Sequence, residues 1–588
     1  MLKKNLGTVL FVAGLVLVGV QPAISQSFRV QCPTTTITHP DPGIPGDTGV
    51  NANSVEPAYT GPTAYTSTNP TAPALGYQIP SGNVNGAIKC QQISGGDGFA
   101  TMANGNQIFM FSFGPLSGIA DLAAGLPATQ FPNVFNTVYP GTLMPGDPAT
   151  TDGGSSATVS AIVKSNGNAA QNALAVASEL GGFSYNGAIG LAPDADCLAE
   201  NAAAAAAGTA LPCPNLPAGG LDGHVDPRQI MDVGVMNGNI PAPLMAIDED
   251  DEYFLTLSNV GMIMRPDLFE QHTVHFHGYP NASSFYDGVP DASVAINIGG
   301  SFTYYYLAPD AGTYFWHCHI APPEHLQMGM VGQIYVRPRQ DRVQAPMTVY
   351  QALQAQQTDL RTACNSAADI LCSNPLPAGG ENNIVGDFTG DIKTTPIKYA
   401  YNDGDGSTAY NVEYPLQIHG FDPNFHFVGM TFNPEAFTDM KDKYFLLNGR
   451  SYPDTITPGP LATETTDGAS HFSQPLPSII NIPAGGKALL RISDLDVSEF
   501  STLASLGIPM KVIALNAKLL RDQAGNNMAY TTNSITLGGG ESLDVILDAS
   551  NSTLYPSGSV FYIYTPQLDH LANDAENFGG LMTEVHIN

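Results

Sequence analysis

The chain is long and strongly acidic. It has 588 residues, and its 52 Asp and Glu residues outnumber its 21 Lys and Arg residues, which leaves a formal net charge of −31. The field of such a chain repels nucleic acid and anionic membrane surfaces, so neither is expected as a partner. The same field attracts cations, including metal ions, although acidity also serves simply to keep a protein in solution.

The N-terminus has the pattern of a secretory signal peptide. Lys3 and Lys4 precede an apolar run over residues 6–20, and small residues follow up to Ser25. At about 15 residues the run is short for a bilayer span, which favours cleavage after Ser25 over an uncleaved anchor. We therefore expect a signal peptide at residues 1–25, no transmembrane anchor after its cleavage, and a secreted protein, periplasmic or extracellular.

The next part of the chain combines a linker with an interrupted β-rich region. Residues 26–85 are rich in Pro, Thr and Ser without apolar periodicity, which predicts an arm or linker. A first β-rich domain is predicted over 86–340, with an opening strand at 98–114. A long Gly/Ala-rich insertion, about 116–225, interrupts this domain and carries a short predicted helix at Ala202–Ala207. Insertions of this length are usually functional or flexible, and the sequence does not choose between the two.

Strand signals return densely after the insertion. Runs of β-branched and aromatic residues, broken by Gly, Pro and Asn, predict a sandwich or barrel. The predicted strands are 229–236, 253–258, 273–277, 301–307, 313–319 and 332–336. A linker over 341–379, with a predicted helix at 347–361, leads to a second β-rich domain over 380–588.

Six of the seven cysteines are candidates for disulfides. An even number of cysteines in a secreted chain predicts disulfide pairing, once Cys318 is set aside for the histidine cluster described next. The pairs with the shortest sequence separation are preferred, but the sequence does not exclude other connectivities. The preferred pairs are Cys197 with Cys213, Cys364 with Cys372, and Cys32 with Cys90.

Six of the 13 histidines lie in two short segments, 272–278 and 316–330. Because successive side chains of a strand point to opposite faces, Cys318 must face away from His317 and His319. His272 faces away from His275 for the same reason. If the two segments are neighbouring strands, one side presents Cys318 and His272. The other side presents four imidazoles, from His275, His277, His317 and His319.

The cysteine side has the ligands of a blue-copper centre. Cys318 offers a thiolate, His272 and His325 offer imidazoles, and Met330 offers a weak axial thioether. Zinc also takes Cys and His but saturates at four ligands, and this stretch offers too many for one tetrahedral site. The four neutral imidazoles of the other side favour one or more further copper ions. Structural histidine pairs are the alternative interpretation.

The two segments resemble the signatures of the multicopper oxidases, the laccase-like family with the cupredoxin fold. Residues 272–278 match the family pattern H-P-x-H-x-H-G, with Thr273 where the family has Pro. Residues 317–330 match H-C-H-I-x-x-H-x-x-x-G-M/L, with two extra residues before His325. The resemblance implies an all-β chain of two cupredoxin-like Greek-key β-sandwich domains. The second of them lacks type 1 ligands, because Cys372 is the last cysteine.

The resemblance also implies a role for each ligand. In this family the type 1 copper would be held by His272, Cys318, His325 and Met330. His275 would hold a type 2 copper, and the type 3 ligands would be His277, His317 and His319. Asp287 matches an acid beside the cluster and is the candidate for proton delivery, although an ordinary Asp-Gly turn is an equally good interpretation.

The implied function is that of a copper oxidoreductase. Electrons from a small-molecule or metal-ion donor would pass through the type 1 copper to the histidine-ligated copper site, where O₂ is reduced. Copper nitrite reductases share the type 1 ligands but carry an acid at the position of His275 and a non-ligand at that of His319. The four imidazoles therefore favour an oxidase. Two alternatives remain. One is a nitrite-reductase-like oligomeric enzyme. The other is a non-enzymatic protein that binds copper, either for electron transfer or as an extracellular structural protein.

The histidines are too few for a complete trinuclear cluster in one chain. The family uses four H-x-H pairs, and this sequence contains only two. Two copies of the first domain would supply the missing pairs if they met with twofold symmetry, so a homo-oligomer is one solution. A partner protein is the second. The third is a smaller copper centre that uses a scattered residue such as His419 or His426.

Overall fold

A computed structural model describes residues 88–135, 236–341 and 397–588, apart from short internal gaps. It also describes residues 32, 33 and 36 and three short pieces, 192–193, 202–209 and 221–224. The predicted signal peptide, most of the predicted arm, the 347–361 helix and most of the insertion lie outside the described residues. None of the described helices is long and apolar enough to cross a membrane.

The first half of the chain is a sandwich of two four-stranded sheets. One sheet has the order β2-β1-β6-β8 and the other the order β5-β10-β9-β7. Side chains alternate along β6, so that Tyr253, Leu255 and Leu257 face the core between the sheets. A separate two-stranded sheet is formed by β3 and β4. The strands of this half are β1 Ile88–Thr101, β2 Gln107–Pro115, β3 Ala192–Pro193, β4 Leu221–His224, β5 Met245–Asp248, β6 Glu252–Asn259, β7 His275–His277, β8 Ser301–Leu307, β9 Gly312–His317 and β10 Val331–Arg337.

The second half is a larger sandwich. A seven-stranded sheet with the order β14-β13-β18-β24-β20-β21, in which β22 also pairs with β20, packs on a five-stranded sheet with the order β17-β26-β25-β19-β23. The strands are β11 Lys398–Tyr399, β12 Ala409–Tyr410, β13 Val412–Phe421, β14 Tyr444–Leu447, β15 Leu461–Glu464, β16 Ser470–Gln474, β17 Ile480–Ile482, β18 Lys487–Asp494, β19 Ser501–Leu506, β20 Met510–Leu515, β21 Lys518–Leu519, β22 Tyr530–Thr532, β23 Ser534–Leu537, β24 Glu541–Asp548, β25 Val560–Tyr564 and β26 Met582–Ile587.

Helices are short in the described residues. The α-helices are Pro132–Phe135, residues 202–207, Pro322–Gln327 and Pro423–Met430. The 3₁₀ turns are Ser284–Tyr286, Arg339–Asp341, Phe437–Asp439, Asp454–Ile456 and Leu568–His570. The all-β prediction is confirmed, and so is the short helix in the alanine run.

The two sandwiches share a buried interface. A separate apolar cluster contains Phe315 and Val331 from the first sandwich and Phe421 from the second. The hydroxyl of Thr313 on β9 donates a hydrogen bond of 2.5 Å to Asp544 on β24. The side chain of Gln333 on β10 donates to the Arg491 carbonyl at 2.8 Å. The sheet that carries the histidine segments is therefore backed by the second sandwich.

The predicted strand at 98–114 is wrong, because these residues belong to two strands. β1 and β2 form an antiparallel hairpin in which Thr101 pairs with Gln107. The turn contains Asn104 and Gly105, and Gly105 has a φ of 84°. Asn-Gly is a strong hairpin signal because both residues tolerate positive φ. The hairpin matters for the site, since Phe109 and Phe111 on β2 lie near it.

One of the preferred disulfides is confirmed. Cys32 and Cys90 are joined, with Cα atoms 5.8 Å apart, and the bond ties the residues before the sandwich to β1. The other two preferred pairs lie outside the described residues. Among the described cysteines, Cys318 is the free one, and it is buried.

Candidate metal centre

Cys318, His272 and His325 come together in the interior of the first sandwich. The Cys318 sulfur lies 3.2 Å from Nδ1 of His325 and 4.0 Å from Nδ1 of His272. The ligand atoms of the three residues all lie within 4.8 Å of one another. All three side chains are fully buried. We call these three residues the Cys318 cluster.

Local structure explains how residues from separate segments converge. Cys318 directly follows β9, and its N–H donates to the Met330 carbonyl at 3.2 Å. His325 lies on the helix Pro322–Gln327, which begins after Ala321 in a left-handed conformation with φ 38°. The Met330 N–H donates to the His325 carbonyl at 2.9 Å, which closes this loop onto β10. The Met330 side chain is buried in the same apolar core as Cys318, as an axial ligand would be.

The electrostatics of the Cys318 cluster favour a bound cation. Burial raises the pKa of the Cys318 thiol, but the His325 charge and the hydrogen bonds from both histidines outweigh it, so the pKa lies well below its ordinary value. Burial lowers the pKa of His325, but the Cys318 thiolate outweighs it and raises this pKa to about 10. These shifts favour a thiolate beside an imidazolium in the metal-free cluster, and a metal ion would replace the proton.

The donor set fits copper. A buried thiolate with two imidazoles and a neighbouring thioether is the ligand combination of blue-copper sites. Both Nδ1 atoms face the sulfur, as ligands of a shared metal ion would. Nε2 of His325 lies on the other side of its ring, 3.6 Å from the Glu270 carboxylate. The site therefore has the donors, the burial and the negative charge that a copper ion requires.

The four imidazoles form a second cluster on the opposite face. β7 pairs with β9 so that His275 lies opposite His317. The ring of His275 lies 5.1 Å from the ring of His317 and 5.1 Å from that of His319, measured between centroids. Nδ1 of His277 lies 3.3 Å from Nε2 of His317. His275, His277 and His317 have ligand atoms within 4.8 Å of one another, and His319 borders this group. These residues are the four-imidazole cluster.

At least two rings of the four-imidazole cluster can bind metal at neutral pH. Burial, with a smaller contribution from the neighbouring imidazoles, lowers the pKa of His277 to about 4 and that of His317 to about 3. The rings are therefore neutral, as metal ligands must be. Nδ1 of His317 donates to the Cys318 carbonyl at 2.8 Å, and Nδ1 of His275 donates to the Asp287 carbonyl at 2.7 Å. These bonds leave Nε2 as the ligand atom of each ring, and Nε2 of His317 lies 3.3 Å from Nδ1 of His277.

Asp287 lies beside this cluster, as a residue that delivers protons to it would have to. Its carboxylate is 3.6 Å from Nδ1 of His275, although the closer contact of that nitrogen is with the Asp287 carbonyl. The following Gly288 has a φ of 79°, and a Cβ there would overlap the Val274 carbonyl. Asp287 therefore belongs to a tight Asp-Gly turn that also positions His275. Its role in proton delivery remains a prediction.

His419 and His426 do not join either cluster of the described residues. Nε2 of His426 lies 2.9 Å from the Gln327 carbonyl, and its Nδ1 bonds to the Phe109 carbonyl. Nδ1 of His419 lies 3.1 Å from the Leu495 carbonyl. Both rings thus contact main-chain groups at the interface of the sandwiches and lie apart from the two clusters, so a smaller copper centre built with them gains no support.

Two contacts at the site escaped the sequence analysis. Gln327, two residues after His325, donates to Asp442 at 2.9 Å and accepts from the Asp422 N–H at 3.0 Å, which ties the His325 helix to the second sandwich. Thr273 contacts both clusters through its N–H and its hydroxyl. The Gln327 contacts join residues that are distant in the chain, so no local sequence pattern predicts them. Thr273 did have a signal in the sequence, because it stands where the family pattern has Pro.

A cavity of about 270 Å³ lies near the His325 side of the site. Phe109 on its wall is linked to His325 by edge-to-face ring contacts. The centroids are 6.4 Å apart from Phe109 to Phe111 and 5.4 Å apart from Phe111 to His325. The cavity is lined by Phe99, Asn106, Gln107, Ile108, Phe109, Pro423, His426, Phe427, Met430, Tyr444 and Asp574.

A β-sandwich with a buried thiolate–imidazole cluster and an imidazole cluster behind it is a copper protein of cupredoxin type. Residues 222–341 match the family model described as multicopper oxidase. This segment is therefore similar to the multicopper oxidases, as its motifs predict.

Relatives with known names match about a fifth of the chain. A laccase, abr2, of Aspergillus fumigatus is 32% identical over 109 residues, which are 18% of this chain and 17% of that protein. A copper-containing nitrite reductase of Rhizobium meliloti is 36% identical over 109 residues, which are 18% of this chain and 26% of that protein. The matches thus span about a quarter or less of these relatives.

A blue copper oxidase of Nitrosomonas europaea is among the similar solved structures. It has a TM-score of 0.38 and 20% identity, and the match covers 60% of this chain and 78% of that one.

Proposed function

We propose that this protein is a copper oxidoreductase of multicopper-oxidase type that takes electrons from a donor at the Cys318 side and reduces O₂ at the four-imidazole side. The observation that supports it most is the arrangement of the two clusters back to back on residues 317–319. Copper, when bound, supplies reversible one-electron chemistry between Cu(II) and Cu(I). The chain supplies the ligands and the connection between the two sides.

The connection between the two sides is short. Cys318 faces the core, while His317 and His319, its neighbours in the chain, face the four-imidazole cluster. The hydrogen bond of 2.8 Å from Nδ1 of His317 to the Cys318 carbonyl adds a second link beside the peptide bonds. A single tripeptide therefore spans both clusters, which is the requirement for moving electrons between two sites without a diffusing carrier.

We propose that the electron donor binds at the cavity near His325. Its walls combine aromatic rings with the carboxylate of Asp574, which is a lining typical of small-molecule sites. The Phe109 and Phe111 rings pack between this cavity and the His325 ring. A small organic reductant fits the walls, and the net negative charge also favours a metal-ion donor.

The O₂ side is incomplete in a single chain. His277 is half-buried, and Gly540 of the second sandwich lies next to it, with the position of a Cβ 3.6 Å from Cε1 of His277. No further histidine of the described residues joins the cluster. We therefore propose that a second copy of the chain or a partner protein brings the remaining ligands, as a twofold contact between first sandwiches would allow. Asp287 is the residue we propose for proton delivery there.

A nitrite-reductase-like oligomer is the second candidate. The similarity to the nitrite reductase of Rhizobium meliloti favours it, since that match is as long as the match to the laccase. The imidazoles of His275 and His319 argue for the oxidase, because they give the second site more ligands than a mononuclear centre needs. An electron carrier with an empty second site is the non-enzymatic alternative.

The predicted location is outside the cytoplasm. The Cys32–Cys90 disulfide supports it, because disulfides persist in oxidising compartments and are rare in the cytosol. This agrees with the signal-peptide pattern at the N-terminus.

Metal analysis combined with oxygen uptake tests the proposal. The purified chain is loaded with copper at a protein concentration at which any oligomer is assembled. Its copper content, optical spectrum and paramagnetic spectrum are then measured. A blue thiolate band, a coupled copper pair and O₂ consumption with phenolic or metal-ion donors are expected. Nitrite reduction without O₂ uptake would favour the reductase, and a single blue copper without turnover would leave only a carrier.

A further inference from the structure

Thr273 contacts the Cys318 cluster through its backbone. Its N–H points at the Cys318 sulfur with a distance of 3.5 Å from nitrogen to sulfur, which is a normal length for a hydrogen bond to sulfur. The residue is fully buried, so no water competes for this donor. The family pattern has Pro at this position, and Pro has no N–H to donate.

Thr273 also contacts the four-imidazole cluster. Its hydroxyl oxygen accepts a hydrogen bond of 3.0 Å from the N–H of His319. The two contacts are made by different groups of one residue, the main-chain N–H and the side-chain hydroxyl. Pro would remove both of them, whereas Val would remove only the hydroxyl.

A hydrogen bond to the sulfur has a predictable electrostatic effect. Reduction of a metal ion held by Cys318 makes the metal–thiolate unit more negative, and a donor directed at the sulfur stabilises the more negative state more strongly. Hydrogen bonding around the Cys sulfur is one of the controls of blue-copper potentials. The Thr273 N–H should therefore raise the reduction potential relative to a chain with Pro at 273.

We propose that Thr273 is a positioning residue that raises the reduction potential of the Cys318 site through its N–H and independently orients His319 through its hydroxyl. The first half of this inference rests on the copper site of the proposed function but not on O₂ reduction. The departure from the family Pro is then a functional difference that sets the driving force for electron transfer from Cys318 toward His319.

Two substitutions separate the two contacts. Thr273→Val keeps the N–H and the branched shape, so the potential and the visible band should match those of the wild type while the signal of the second copper site changes. Thr273→Pro removes the N–H as well, so the potential should fall and the band should shift. Thr256→Val is the matched control, because it removes a buried hydroxyl that bonds to Thr303 at 2.8 Å in the same sandwich, away from both clusters.

The potential is measured by redox titration of the visible band, and the second site is followed by its paramagnetic spectrum. A potential in Thr273→Pro equal to that in Thr273→Val would overturn the role of the N–H. An unchanged second site in Thr273→Val would overturn the role of the hydroxyl. If Thr273→Pro does not fold, Thr273→Gly keeps the N–H and must retain the wild-type potential, and a fall would count against the proposal. Lack of O₂ uptake with the potential difference intact would reject the proposed function and leave this inference standing.

Discussion

Nδ1 of His325 lies 3.2 Å from the sulfur of Cys318, and neither residue is exposed to solvent. The two side chains reach each other because the loop between them folds back as the helix Pro322–Gln327. The proton that this pair holds can be exchanged for a soft metal ion, which the thiolate and the neutral imidazole then bind together.

Met330 should set the potential of the Cys318 site without being needed to form it. Met330→Leu removes the thioether, so we expect the protein to retain its blue band and to have a higher reduction potential, because a weak axial donor stabilises the oxidised ion. Met328→Leu is the matched control. It is a buried methionine two residues away whose Cε lies 3.2 Å from the Cβ position of Gly429 in the second sandwich. Equal potentials in the two variants would remove Met330 from the ligand set.

Gly288 should be required for the position of His275. Gly288→Ala places a Cβ in overlap with the Val274 carbonyl, so we expect a loss of about 2–5 kcal/mol in the free energy of unfolding and a weaker second copper site. Gly278→Ala is the control, because Gly278 also has a positive φ but nothing lies within 4 Å of its Cβ position. It should cost only about 1–2 kcal/mol, the penalty for the left-handed conformation. Chemical denaturation of the metal-free proteins gives both values, and equal losses would refute the steric argument.

His426 should make the protein less stable in mild acid. Burial lowers its pKa to about 4, whereas an unfolded histidine titrates near 6.5. As the pH falls from about 6.5 to 4, the unfolded chain binds a proton that the folded chain does not, so stability falls by up to about 1.4 kcal/mol per pH unit from this residue. Above pH 6.5 the residue contributes no pH dependence.

The effect of His426 is measured as a difference between two proteins, because other buried histidines titrate in the same range. His426→Gln cannot bind that proton, so its free energy of unfolding should fall less than that of the wild type between pH 7 and pH 5, as urea titrations would show. Parallel stability curves for the two proteins would contradict the assignment.

Much of the site was predictable because it follows strand alternation. The parity of 317, 318 and 319 predicted that Cys318 faces away from its neighbouring histidines, and the structure has Trp316 and Cys318 in the core with the His317 ring on the other face. The prediction of two faces assumed that the two segments are neighbouring strands, and the pairing of His275 with His317 meets that condition. These features depend on local geometry, which the sequence carries directly.

The features that escaped prediction depend on long-range contacts or on local turn chemistry. Gln327 and Asp442 are 115 residues apart in the chain, so no local pattern pairs them. The prediction of one strand over 98–114 overlooks the hairpin around Gly105, because apolar residues continue on both sides of the turn. The Asn-Gly pair is the local signal that indicates this hairpin. We propose that groups outside a single chain complete the four-imidazole cluster, and no alternation pattern could predict them.

The most direct test is the visible and paramagnetic spectrum of copper-loaded wild-type protein compared with Cys318→Ser. The serine variant keeps the size of the side chain and removes the sulfur. The wild type should show an intense thiolate-to-copper band and the narrow hyperfine splitting of a blue-copper site, and both should vanish in Cys318→Ser while copper bound at the four-imidazole cluster remains. A colourless wild type, or a band that survives in Cys318→Ser, would contradict the account.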